Sequence, residues 1–190
     1  MNLYRTVGAS LIAALAISIG SSVHVQTAGE TFTATAAIKT AGGVAASAPV
    51  TIVVDRKVSP AEAERVTAAF TKGGASELRK ALQGLPPGGS IQLGKGKPAV
   101  TRFALERHTD KGRLLTILSE EPILFLGAGA PGAAPKEGFD FAIVDIEVDD
   151  KGGGSGTLYP AAKIKVSEGR LVVTDYQTEL VRLTNVKKTR

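Results

Sequence analysis

Alternating hydrophobic and polar positions dominate the chain from residue 29 onward. Two segments rich in threonine and β-branched residues, ETFTATAAIKT and APVTIVVDRKV, flank a short stretch of small residues. A period of two with β-branched residues is typical of strands, and a short connection between two such segments is typical of a hairpin. We therefore predict two adjacent strands at the start of the folded part.

Residues 59–84 carry the helical pattern of the chain. Ser59, Pro60 and Glu62 match the start of a helix, because a hydroxyl cap, a proline in the first turn and a glutamate three residues after the cap recur there. Apolar residues follow at helical spacing in two groups, Ala63, Val66 and Phe70 and then Leu78, Ala81 and Leu82. Gly73 and Gly74 separate these groups. We predict a two-helix insertion near residues 59–84 that packs on a sheet.

From residue 90 onward the pattern indicates β-structure without interruption. The predicted strands are 90–93, 99–107, 113–118, 123–126, 139–149, 157–166, 170–175 and 179–186. Short polar or glycine-rich turns separate most of them, which favours antiparallel connections over crossovers. The predicted fold class is therefore α+β, predominantly antiparallel β as a sheet or sandwich, in a single globular domain of residues 29–190.

Residues 1–28 have the features of a signal peptide and its cleavage region. Arg5 precedes an uncharged apolar run of 13 residues, 7–19, and the small residues Gly20, Ser21 and Ser22 follow. This order is typical of an export signal. A membrane-spanning helix needs about 20 apolar residues, so we expect cleavage and no stable membrane insertion afterwards. The predicted location is periplasmic or secreted.

Composition and charge exclude several classes of function. The chain has no cysteine, which excludes disulfides, thiolate metal sites and a cysteine nucleophile. Its net charge is +5, of which Arg5 contributes one, and its lysines and arginines are scattered without interleaved aromatic residues. A nucleic-acid groove is therefore not expected. The predicted partner is an unknown molecule of the cell envelope or the extracellular space.

Three familiar motifs are incomplete. The sequence GAGAPG at 127–132 matches G-x-G-x-x-G, but too few residues follow for the helix that would hold a dinucleotide. The sequence GSIQLGKG at 89–96 has Gly96 where a phosphate loop needs serine or threonine. His108 is the one histidine after the signal region and lies in a predicted turn, where a catalytic triad is not expected. No cofactor is predicted from these motifs.

Carboxylates are the strongest remaining candidates for chemistry. Strand alternation places Asp145, Glu147 and Asp149 on one face, opposite a face of valine and isoleucine. Adjacent carboxylates attract a hard cation such as calcium, or serve acid–base hydrolysis. The other interpretation is an ordinary solvated face, neutralised by Lys163 and Lys165 across the hairpin.

These observations favour an exported soluble domain with a non-enzymatic structural or binding role. The alternative is a carboxylate-centred cation-binding module or hydrolase, with calcium at Asp145, Glu147 and Asp149. Convergence of these groups with Asp140 or Glu179 in a concave pocket would favour that alternative. A third hypothesis is a small-ligand carrier with a cavity between sheet and helices.

Overall fold

The structure is a computed structural model that describes residues 29–39, 45–123, 138–167, 170–175 and 180–190. Within these residues the strands are β1 Glu30–Lys39, β2 Ala45–Val54, β3 Gly89–Leu93, β4 Ala99–Thr109, β5 Gly112–Ser119, β6 Phe141–Val148, β7 Gly153–Ser167, β8 Arg170–Asp175 and β9 Val181–Lys188, and the helix is α1 Pro60–Gln83. The predicted signal peptide, most of the predicted strand 123–126, the motif at 127–132 and Glu179 lie outside the described residues.

The strands form a closed antiparallel barrel. Their order is β6-β5-β4-β3-β2-β1-β9-β7, and β7 pairs back with β6, so eight strands close into a ring. β8 lies outside the ring and pairs with the last part of β7. The predicted α+β class with antiparallel strands is confirmed, whereas the sheet or sandwich is a barrel. Closure gives each of the eight strands two neighbours and leaves no open edge in the ring.

Alternate side chains of every barrel strand fill the interior. Phe32, Ile52, Ile91, Leu115 and Ile117 are each fully buried there. Alanines on β1 and β6 lie among these larger side chains in the same core. Large and small residues together occupy the space in the way that small barrels require. The barrel interior is therefore a packed core.

The strand β7 begins earlier than predicted, because its glycines form the closing pair with β6. The sequence prediction placed a turn at 151–156 and a strand from 157, but the strand begins at Gly153. Gly154 lies opposite Val148 and Gly156 lies opposite Ile146. A Cβ at Gly154 would overlap the carbonyl oxygen of Glu147, and one at Gly156 would overlap that of Asp145. Only glycine allows this close approach.

The helix α1 begins as predicted. Ser59 is its N-cap, and its Oγ accepts from the backbone N–H of Glu62 at 3.3 Å. In return, the backbone N–H of Ser59 donates to Oε2 of Glu62 at 2.8 Å. These reciprocal bonds give hydrogen-bond acceptors to two backbone N–H groups at the helix start. Neither α1 nor any other described stretch forms a helix with enough apolar sequence to cross a membrane.

The expected pair of helices is one helix with a kink. The helix runs from Pro60 to Gln83 without an intervening loop, and the backbone departs from helical geometry at Gly73 and Gly74. Gly74 has a φ of 65° and a ψ of −149°, a region that only glycine occupies without strain. The predicted interruption at Gly73 and Gly74 is therefore confirmed, whereas the two predicted helices are the two halves of one kinked helix. The glycine pair changes the direction of the helix within a single element.

Both halves of α1 pack on the outside of the barrel and form a second core. The predicted apolar stripe is buried at Val66, Phe70, Leu78 and Leu82. It meets outward side chains of β4 to β7, among them Phe103, Leu118, Phe141, Ile143 and Ile164. One wall of the barrel is thus covered by the helix. The space between helix and barrel is occupied by these side chains.

Five charged residues close one mouth of the barrel, and we call them the ionic cluster: Glu30, Lys57, Glu106, Arg113 and Lys188. Glu30 is only 6% exposed. Its carboxylate accepts two hydrogen bonds from Arg113, at 2.7 and 2.9 Å, and one from Lys188 at 2.7 Å. Lys57 lies 2.9 Å from Glu30 and 2.6 Å from Glu106, which also accepts from Arg113 at 2.7 Å. The cluster therefore links four strands to the segment before α1.

The replacement Gly154→Ala should destabilise the barrel strongly. Its added methyl group meets only backbone atoms of Glu147 and Val148, which cannot rotate away. We expect the free energy of unfolding to fall by about 3 kcal/mol, as in an overpacked core. Urea denaturation at pH 7 measures this change. Ser155→Ala, at the exposed neighbouring position of the same strand, is the control and should have little effect. Equal stability of the two variants would contradict the role of Gly154 in closure.

Candidate functional site

Asp145 and Glu147 lie on the outward face of β6, as predicted. The hydroxyl of Thr116 donates to Oδ1 of Asp145 at 2.6 Å. The hydroxyl of Thr109 donates to Oε1 of Glu147 at 3.2 Å. Both carboxylates are half-buried and have separate partners, Thr116 on β5 and Thr109 at the end of β4. Each carboxylate therefore has its own hydroxyl donor and does not depend on the other carboxylate.

Asp149 lies beyond the end of β6, in the turn before β7. Its Oδ1 accepts from the backbone N–H groups of Lys151 and Gly153, both at 2.9 Å. This pattern is typical of an aspartate that shapes a turn. Across the part of the chain that the structure describes, no three histidine, aspartate or glutamate side chains are grouped to hold a metal ion. The three predicted ligands follow one another along the strand and its turn.

The predicted lysines are not the cross-strand neighbours of this acidic strand. Asp145 lies opposite Thr157 and Glu147 lies opposite Ser155. Lys163 and Lys165 instead lie on the part of β7 that pairs with β8. The prediction that they neutralise the acidic face is wrong, because β7 starts before its predicted boundary and shifts register between Phe141 and Ile143. Hydroxyl groups take the place that was expected for ammonium groups.

A polar cleft lies at the ionic end of the barrel, between the β4–β5 turn and the β6–β7 turn. It has a volume of about 500 Å³. Its lining includes His108, Asp110, Lys111, Asp149 and Asp150. His108 is exposed, and within the described residues its side chain makes no hydrogen bond to a carboxylate. The cleft therefore contains acidic and basic groups without the paired geometry of a nucleophilic site.

A second cleft lies where the end of α1 meets the barrel, and we call it the seam cleft. It is lined by Arg79, Gln83, Glu120, Glu121, Pro122, Phe139 and Asp140, and its volume is about 390 Å³. The residues come from three places: the last turns of α1, the chain after β5 and the chain before β6. The structure thus brings together groups that are far apart in the sequence.

Ion pairs hold the walls of the seam cleft. Arg79 lies 3.1 Å from Asp140, and its guanidinium lies 5.6 Å from the centre of the Phe141 ring. Nε of Arg102 donates to Oε1 of Glu120 at 3.1 Å. Oε2 of Glu120 is buried and has no hydrogen-bond partner among the described residues. The cleft therefore combines an aromatic wall with carboxylates of differing environment.

Of the residues that line the seam cleft, Asp140 is the one predicted from the sequence as a candidate site residue. Asp140 was expected to converge with Asp145 if the carboxylates formed a pocket. It lies instead against α1, paired with Arg79. The adjacent pair Glu120 and Glu121, directly after a buried strand, was the available signal. Nothing in their spacing revealed that the last turns of α1 would lie beside them.

Comparisons with protein-family models, curated proteins and solved structures found no match for this chain.

Calcium should leave the thermal midpoint unchanged. Asp145, Glu147 and Asp149 are held by hydroxyl or backbone donors and are not grouped around one point. Binding to the native state would raise the midpoint by mass action. We expect the same midpoint in EDTA and in millimolar calcium, measured by scanning calorimetry. A calcium-dependent rise that disappears in the double variant Asp145→Asn, Glu147→Gln would establish the cation-binding alternative.

Proposed function

We propose that this chain is an exported domain that binds a partner outside the cytoplasm and carries out no chemistry of its own. One observation carries the proposal: the barrel interior is filled by its own side chains, so recognition takes place on the outer surface. Most of the space between α1 and the barrel is also occupied, by the second core, and the seam cleft lies at its edge. These two cores argue against the hypothesis of a small-ligand carrier with an internal cavity.

The dispersal of carboxylates supports a binding role over a hydrolytic one. A glycosidase-type site needs two carboxylates that face each other across a substrate. Asp145 and Glu147 are spaced along one strand face and are bonded to Thr116 and Thr109. The carboxylate-centred cation module or hydrolase remains the second candidate. The observation in its favour is the polar cleft, where Asp110, Asp149 and Asp150 line the same concavity.

We place the partner at the seam cleft. Interfaces use aromatic and arginine side chains, and these are present there as Phe139 and Arg79. The cleft also carries three carboxylates, Glu120, Glu121 and Asp140, in a chain whose net charge is +5. A partner that carries basic groups fits this local charge.

Export predicts a defined mature N-terminus. Cleavage after Ser22, with Gly20 two residues earlier, would leave a chain that begins at Val23. We expect mass spectrometry of the protein from the cell envelope or the medium to find this terminus. Leu11→Arg, which places a charge in the apolar run, should keep the full-length chain in the cytoplasm. Cytoplasmic retention of the unchanged chain would refute the export proposal.

Partner binding should depend on the seam cleft and not on the acidic strand. Glu121 is exposed in the cleft, whereas Glu64 is exposed on α1 away from it. We expect Glu121→Lys to weaken capture of an envelope or extracellular partner by at least about tenfold, through like-charge repulsion. Capture is measured by quantitative cross-linking in the envelope fraction.

The matched variant Glu64→Lys should retain full binding, and so should the double variant Asp145→Asn, Glu147→Gln. Loss of binding in the double variant but not in Glu121→Lys would move the contact to the acidic strand.

A further inference from the structure

We propose that residues 55–59, which join β2 to α1, form an acid-operated latch that three carboxylates hold on the barrel mouth and that opens when they take up protons. We call these residues the latch segment. The device adds regulation to the proposed binding domain, and it can be tested without knowing any partner.

Lys57 is the member of the ionic cluster that belongs to no strand. Its ammonium group lies 2.9 Å from Glu30 at the start of β1 and 2.6 Å from Glu106 near the end of β4. Lys57 is about three-quarters buried, so these two carboxylates replace much of the water around its ammonium group. The cluster thus holds the middle of the latch segment on the barrel mouth.

Arg56 and Ser59 are held by a third carboxylate, Glu62 of α1. Nη1 of Arg56 donates to Oε2 of Glu62 at 2.9 Å, and the same oxygen accepts from the backbone N–H of Ser59 at 2.8 Å. Nε and Nη2 of Arg56 are buried without a hydrogen-bond partner among the described residues. Loss of the Glu62 charge would leave this guanidinium poorly solvated, which favours its release into water.

The remaining contacts of the latch segment are few. The backbone N–H groups of Asp55 and Arg56 donate to the carbonyl of Gly88, and that of Val58 donates to the carbonyl of Ala104. Val58 of the latch segment has a buried apolar side chain. The barrel strands, by contrast, have ladder bonds on both sides. The latch segment is therefore the part of the mouth that can open while the barrel stays closed.

Protonation would leave cations without partners. The charged groups that face the latch segment are Glu30 from β1, Glu106 from β4, Arg113 from β5, Lys188 from β9 and Glu62 from α1. Within the segment, Asp55 is exposed, and Arg56 and Lys57 point at these groups. Neutral glutamates would leave four closely spaced cations to repel one another. Opening of the segment relieves this repulsion.

The pKa values of the three carboxylates indicate that the closed latch favours their ionised forms. Burial by itself would raise the pKa of Glu30, but hydrogen bonds from Arg113, Lys188 and Lys57 outweigh it and hold that pKa well below its usual range. Burial is likewise outweighed at Glu106, where bonds from Lys57 and Arg113 lower the pKa. The bond from Arg56, followed by that from the Ser59 backbone, lowers the pKa of Glu62 to about 2.

Because these pKa values are lowered in the closed state, the closed latch becomes less stable as pH falls. Each carboxylate stabilises the closed latch fully above the ordinary glutamate pKa of about 4.3, and this stabilisation is lost as pH falls below it. Opening removes Arg56 from Glu62, which can raise the opening equilibrium constant by up to about tenfold per pH unit. Glu30 and Glu106 lose only Lys57 and keep Arg113, with Lys188 also on Glu30, so each of them adds less than about tenfold per pH unit. The latch is therefore closed at neutral pH and opens in acid.

Hydrogen exchange of the purified protein tests the latch. Amide exchange is followed at pH 5 and pH 3, corrected for intrinsic rates, in peptides that cover residues 55–63 and the core strand β6. We expect protection of residues 55–63 to fall by at least about tenfold between these values. Protection of β6 should fall far less. Equal loss in both peptides, or no loss in residues 55–63, would overturn the proposal.

Lys57→Met keeps the apolar stem of the side chain and removes its charge. The segment then no longer depends on Glu30 and Glu106, whereas Arg56 and Glu62 remain, so the loss of protection between pH 5 and pH 3 should shrink by at least about threefold. Lys95→Met, in the exposed β3–β4 turn, is the control and should behave like the unchanged protein. An unchanged acid response in Lys57→Met would also overturn the proposal.

Discussion

The fold depends on bringing β7 against β6, because that pairing turns an open sheet into a ring. Two glycines make it sterically feasible: any side chain at Gly154 or Gly156 would overlap the backbone of β6. The same strand also pairs with β9, so one continuous element is shared by both sides of the closure. Register shifts in β1, β4 and β7 accompany this curvature, as bulges do in small barrels. Every inward side chain must then fit one common interior.

The ionic cluster lies where the shared interior of the barrel ends. At the end of the barrel, the inward-facing positions of β1, β4, β5 and β9 hold Glu30, Glu106, Arg113 and Lys188 instead of apolar residues. Arg113 also lies 5.8 Å from the centre of the Phe32 ring, so the cluster rests directly on the core. Burying these charges is costly unless each is paired, and the pairings found here satisfy that condition. The apolar core therefore ends in a polar layer and not in open solvent.

Much of the fold could be predicted from sequence because local patterns determine it. The cap at Ser59, the apolar stripe of α1 and most strand positions depend on neighbours within a few residues, and the structure confirms them. Closure of the barrel was not predictable in this way. It depends on which distant strands meet, and a period of two is the same in a sandwich and in a barrel. The glycines of β7 were predicted to form a turn, because the sequence alone does not show that they pack against β6.

The candidate sites show the same division. Alternation correctly placed Asp145 and Glu147 on the outer face of β6, but their partners belong to other strands and differ from those expected. The seam cleft depends on how the helix lies against the barrel, which the kink at Gly73 and Gly74 helps to set. The ionic cluster joins residues as far apart as Glu30 and Lys188. No spacing rule relates such positions before the chain has folded.

The two ends of the described chain lie side by side, and this affects the order in which the barrel can fold. The backbone N–H of Thr31 donates to the carbonyl of Arg190, and β1 pairs along its length with β9. The ring therefore cannot close until the first and the last described strands have paired. Contacts over such a long sequence separation are slow to form. Closure of the ring is therefore expected to be a late and slow step of folding.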